Sequence, residues 1–165
     1  MRIVISNTGP ILHLSEAKEL ILLSHTGDVY IPKEVDLEMT KHDSSWQAQQ
    51  HSWLHVETLA APYDVQATLW QKAGLLDAGE AQAIALAKQM NADWFLTDDA
   101  AARIFGKSLG IEVHGSLGVV LWTAAQGHLS YAKADSALDR LSQSSLWISA
   151  KILLEAKTAL KQLFP

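Results

Sequence analysis

Two rhythms of apolar and polar positions run along the chain. Short, β-rich runs end in turn-forming or polar residues: Ile3-Val4-Ile5, Val29-Tyr30-Ile31, Trp94-Phe95-Leu96-Thr97 and Ile111–His114. Runs of this length and composition predict buried strands, and Leu54–Thr58, which alternates, predicts a further short one. Between them, apolar residues recur at helical spacing. Pro10 suits the first turn of a helix continued by Ile11, Leu12 and Leu14. Further helices are expected over 16–24, from Pro32 to about His42, over 62–73, from Ala78 to about Met90, over 99–109 and from a Ser116 cap to Gln126. Two helical segments, 131–142 and 149–163, close the chain, with Ser149 as a cap for the second.

Strand–helix–strand alternation, with strands apolar on both faces, predicts an α/β domain around a mostly parallel sheet. No linker, repeat or low-complexity stretch divides the chain, so residues 1–165 read as one domain. The helices of 131–163 are expected to pack on it or on a partner.

Composition narrows the chemistry. The 165 residues contain no cysteine, which removes disulfides, Cys-ligated zinc, iron–sulfur clusters and thiol nucleophiles together. This fits a reducing, cytoplasmic setting. No apolar run approaches the ~20 residues of a membrane span, and the N-terminal apolar stretch is too short for a signal peptide. Thirteen Lys and Arg stand against eighteen Asp and Glu, a formal charge of −5. Bulk charge therefore gives no hold on nucleic acid. Contact with a polyanion would need a local basic patch, metal ions or a basic partner.

In open parallel sheets, ligands bind beyond the carboxyl ends of the strands. The first strand is followed by Ser6-Asn7-Thr8, and the second by a helix carrying Glu34, Asp36 and Glu38. Thr97-Asp98-Asp99 follows Trp94-Phe95-Leu96. Glu80 is the most informative single residue. Its helical neighbours at i+3, i+4 and i+7 are Ala83, Ile84 and Ala87, whereas the polar stripe runs through Gln82, Lys88 and Gln89. Glu80 thus begins the buried face. A capping box with Asp77 accounts for it equally well. Each of the other acids also has a structural reading. Asp98 or Asp99 can cap the next helix, with Arg103 four residues beyond Asp99 at ion-pair spacing. Glu38 can lie on a solvated face paired with Lys41 or His42, and Asn7 can simply end a strand. One cleft could nevertheless gather all of them. Clustered carboxylates repel, and a divalent cation relieves that repulsion; hard oxygen ligands suit Mg²⁺ or Mn²⁺.

The ordered set of Ile-Ser-Asn-Thr-Gly-Pro, Ile-Pro-x-x-Val-x-x-Glu, "LDAGEAQAIALA" and "FLTDDAAAR" resembles the PIN-domain family, in its VapC-like prokaryotic branch. "GIEVHGSLGVVLWTAAQG" and "LWISAKILLEA" also look like this branch, and the likeness spans Ile3 to about Ala125. It implies a three-layer α/β/α sandwich and metal-dependent cleavage of single-stranded RNA. It also implies the role of a toxin held by a cognate antitoxin protein, often as a homodimer. The family's acidic constellation falls on Asn7, Glu38, Glu80 and Asp99, with Asp98 beside it, as ligands of Mg²⁺ or Mn²⁺. Thr8, Thr97 and Arg103 would line the site or support it. Most members carry Asp where this chain has Asn7, which can offer a carbonyl oxygen but no charge. The alternative is a degenerate module that binds RNA or a protein without cutting. Receiver and phosphatase chemistry lacks its pattern, because the first strand ends in Asn-Thr without a paired Asp or Asp-x-Asp. Of the seven histidines His51 and His55 are four apart, but with no further ligands in pattern they read as structural or surface, and the six tryptophans read mostly as core or interface.

Overall fold

The computed structural model describes all 165 residues. Five strands form one sheet: β1 (Ile3–Ser6), β2 (Asp28–Pro32), β3 (Leu54–Glu57), β4 (Trp94–Leu96) and β5 (Val113–His114). Their order is β3-β2-β1-β4-β5 and every pairing is parallel. Eight α-helices accompany them: α1 (Thr8–Glu16), α2 (Lys33–His42), α3 (Tyr63–Lys72), α4 (Ala78–Gln89), α5 (Ala100–Ser108), α6 (Ser116–Ala125), α7 (Tyr131–Ser142) and α8 (Ala150–Leu163).

The period-two geometry of the strands divides the core. Val4, Val29, Ile31 and Leu96 point to one face, where they meet Ile11 and Leu14 of α1, Val35 and Met39 of α2, and Val119 and Val120 of α6. Ile5 and Phe95 point to the other, against Ala67 of α3, the apolar length of α4 and Ala102 of α5. The result is the expected α/β/α sandwich. The closing helices lie on the first face, where Leu138 and Leu141 of α7 and Ala156 and Leu160 of α8 are buried in the same cluster as α6. No helix is long and apolar enough to cross a membrane.

Three local expectations change. The helix expected over 16–24 is instead the end of α1 and a 3₁₀ turn, Leu20–His25. Lys18, at φ 59°, takes a left-handed conformation that ends α1, and the Glu19 amide closes on the Leu14 carbonyl. β5 is shorter than 111–114 because the Ile111 amide turns back to Gly106. Ser116 is the first residue of α6 and not its cap; the backbone at its amide is satisfied by the Asp98 carboxylate from another element.

Candidate metal and nucleic-acid site

The strand order reverses between β1 and β4, so the crevice of this sheet opens beyond their carboxyl ends. Asn7 lies at the end of β1, and Thr97, Asp98 and Asp99 at the end of β4. A helix that returns between parallel strands must begin at their carboxyl edge. That requirement puts the first turn of α4, with Glu80, on the same rim.

Both readings of Glu80 hold at once. Asp77 accepts the Glu80 amide at 2.8 Å and Glu80 Oε2 accepts the Asp77 amide at 3.0 Å, a complete capping box. Glu80 is also half-buried. Burial first, and then the charges of Asp77 and Asp99, push its carboxyl up to about 7, against the pull of the Asp77 amide. Gln would close the same box without a carboxyl that burial disfavours, so capping alone does not require the acid.

Glu38 is not on a solvated face. Its Oε2 accepts a short hydrogen bond from the Thr8 hydroxyl, and its carboxylate lies against the backbone of Gly79. Burial raises its carboxyl above the ordinary range. The Thr8 hydroxyl opposes this, the Asp77 and Glu34 charges add to it, and His42 opposes it weakly. Asn7 is buried, with its amide donating to Thr97 Oγ1 at 3.4 Å. The same hydroxyl accepts the Asp99 amide at 3.1 Å, and Asp99 caps α5 by accepting from Ala102 N at 2.8 Å. Thr8 and Thr97 thus hold the acids in place: Thr8 ties α1 to Glu38, and Thr97 ties Asn7 to Asp99.

Asp98 faces the other way. Its Oδ2 meets His13 Nδ1 at 2.7 Å and Ser116 Oγ at 2.5 Å, and its Oδ1 accepts Ser116 N at 2.7 Å. Burial alone would raise its carboxyl, but hydrogen bonds from His13 and Ser116 hold it below the usual carboxylate range. Sequence reasoning missed His13 and Ser116 here. The one signal for His13 was its place one turn beyond Gly9 on α1, where the small residue leaves room beside Asp98. Arg103 makes no pair with Asp99; its guanidinium donates to the Thr97 carbonyl at 3.3 Å.

Glu38, Glu80 and Asp99 each keep one oxygen, Oε1, Oε1 and Oδ1, that accepts no hydrogen bond from the protein. The donors are all oxygen, and burial raises the carboxyls of Glu38 and Glu80, with the charge of Asp99 adding to the rise at Glu80; such a set fits a hard divalent cation. No three Asp, Glu or His side chains are arranged around a common point.

No curated protein and no solved structure gives a significant match to this chain. A family model described as a PIN domain matches residues 3–162. That match spans almost all of the chain, including every strand of the sheet and all four rim positions. The chain belongs to the PIN-domain family, whose domains are of nuclease type, generally use divalent metals and bind RNA.

Proposed function

We propose that this domain is a metal-dependent endoribonuclease of the VapC-like prokaryotic branch, acting on single-stranded RNA in the cytoplasm as the toxin of a toxin–antitoxin pair. The observation that carries the reading is the Glu38 carboxylate lying against Gly79 in the first turn of α4, one residue from Glu80, on the rim at the switch point of the sheet. Glu38, Glu80, Asp99 and the Asn7 side-chain carbonyl would hold Mg²⁺ or Mn²⁺. Bound there, the ion would supply an activated water and a counter-charge to the phosphodiester, leaving a 5′-phosphate after in-line displacement. The chain's own contribution is positioning. Thr8 orients Glu38, Thr97 orients Asn7 and Asp99, and the capping box orients Glu80. Asp98, with both oxygens engaged by His13 and Ser116, supports the site by fixing α1 and α6 to the end of β4.

The second reading is an RNA- or protein-binding module without cleavage. It is favoured by Asn7, which removes one charge from the ligand set. A cognate antitoxin and a second copy of the chain are the proposed protein partners.

The test is incubation of the purified protein with an unstructured RNA under Mn²⁺, Mg²⁺ or excess chelator, beside Glu80→Gln. The nuclease reading expects cleavage that needs metal and is lost in the variant. Cleavage that survives both chelator and Glu80→Gln contradicts it, and binding without any cleavage favours the second reading.

A further inference from the structure

On the Asp98 side of the end of β4, between the end of β5, α5, the first turns of α6 and the segment leading into α8, lies a cleft of about 340 Å³. That is within the range of small-ligand sites. Its lining pairs two unlike chemistries. Trp147 stands 85% exposed at one wall, beside the exposed Ile152. Arg103 lines another wall, half-buried and absent from all six ion pairs of the fold. Gly115, Leu117 and Gly118 at the start of α6 line a third wall, and the absence of a side chain at Gly115 leaves room for the Arg103 guanidinium. The Asp98 carboxylate also lines the cleft near Arg103, but both its oxygens are engaged by His13 and Ser116. An exposed indole and a guanidinium in no ion pair are complementary to a ligand that is both flat and anionic. Arg103 is anchored on the Thr97 carbonyl, and the Thr97 hydroxyl holds Asp99, so the cleft begins where the carboxylate site ends.

We propose that this cleft holds one nucleotide of the single-stranded RNA next to the cleaved bond, with its base on the Trp147 indole and its phosphate on the Arg103 guanidinium. The assignment rests on the nuclease reading for the identity of the polymer, and it deepens that reading by naming a subsite. Stacking on an indole tolerates every base, so the cleft would give affinity for unpaired strands with little sequence preference. A duplex, whose bases are already stacked, could not enter.

Fluorescence anisotropy tests it, with a labelled, unstructured oligoribonucleotide and an abasic ribose-phosphate oligomer of equal length, both in Ca²⁺. Trp147→Ala is expected to weaken oligoribonucleotide binding about tenfold, in line with stacking of one base, and Trp147→Phe to recover most of it. Arg103→Ala should weaken both oligomers, and Trp147→Ala should leave the abasic one unchanged. Trp147 is exposed enough that its replacement does not threaten folding. Equal binding of the oligoribonucleotide by wild type, Trp147→Ala and Arg103→Ala would overturn the proposal and leave the cleft to a protein partner. The two readings fail separately. Binding that depends on Trp147 without any metal-dependent cleavage refutes the nuclease alone, whereas metal-dependent cleavage with RNA binding indifferent to Trp147 and Arg103 refutes the subsite alone.

Discussion

The Glu38 carboxylate fills the space that a side chain at Gly79 would need: a Cβ there would lie 2.5 Å from Oε1 and 2.8 Å from Oε2. Glycine at the second position of α4 is what lets α2 bring its acid to the first turn of α4. Gly79→Ala improves helix propensity by up to about 1 kcal/mol, but it displaces the mobile end of Glu38. The expected outcome is a melting temperature changed by only a few degrees and an affinity for Mn²⁺ lowered about tenfold, the size seen when a ligand's support is lost. Calorimetry on the folded variant checks both.

Glu80 makes the metal-free protein sensitive to pH. Its carboxyl is raised from 4.5 to about 7 in the fold, so the folded state binds more protons than the unfolded one between those values. Stability in chelator should therefore fall as pH rises from about 4.5 to about 7, with Glu38, also raised, contributing in the same direction. In Glu80→Gln the slope should be shallower, because Gln keeps the capping box without the charge. Thermal melts across that range in wild type and variant measure it; identical slopes would remove Glu80 as the source.

Asn7 lies at the end of β1, buried beside Thr97, where a carboxylate would add a fourth acid to the rim. Asn7→Asp adds a charge to a group that already repels. The variant should be less stable than wild type in chelator, bind Mn²⁺ at least tenfold more tightly and regain that stability when the ion is present. Metal titration followed by melting temperature shows both signs in one experiment. Cleavage that rises with affinity would identify Asn7 as the limit on activity.

The two adjacent acids should separate cleanly. Asp98→Asn leaves His13 and the Ser116 hydroxyl without a carboxylate, and breaking a buried charged network costs about 3 kcal/mol. Asp99→Asn should cost under about 1 kcal/mol, because Asn caps a helix as well as Asp does. Metal affinity should follow the opposite order, lost in Asp99→Asn and largely retained in folded Asp98→Asn. Denaturant melts with calorimetry distinguish them.

Much of this was legible along the chain, because it depends on local rules. The strand runs fixed which positions could face both layers, and the rule of carboxyl ends gathered Asn7, the α2 acids Glu34, Asp36 and Glu38, and Asp98 with Asp99, among which the family resemblance singled out Asn7, Glu38 and Asp99. Glu80 was legible from its apolar i+3 and i+4 neighbours. What stayed hidden depends on distant pairs. Nothing local says which of Asp98 and Asp99 turns inward. That choice is made by His13, 85 residues away, and by Ser116, whose helix needs an acceptor at its first turn. Arg103 had the spacing for Asp99 yet goes to the Thr97 carbonyl. Nothing local marked Trp147 among six tryptophans read mostly as core or interface, yet it alone of them is exposed.

The central claim is that Glu38, Glu80 and Asp99 serve one ion. Mn²⁺ binding measured by calorimetry at pH 8, on wild type and on Glu38→Gln, Glu80→Gln and Asp99→Asn singly, tests it most directly. The account predicts saturable binding in wild type and an affinity at least tenfold lower in each of the three variants. Three folded variants that bind Mn²⁺ as wild type does would contradict it.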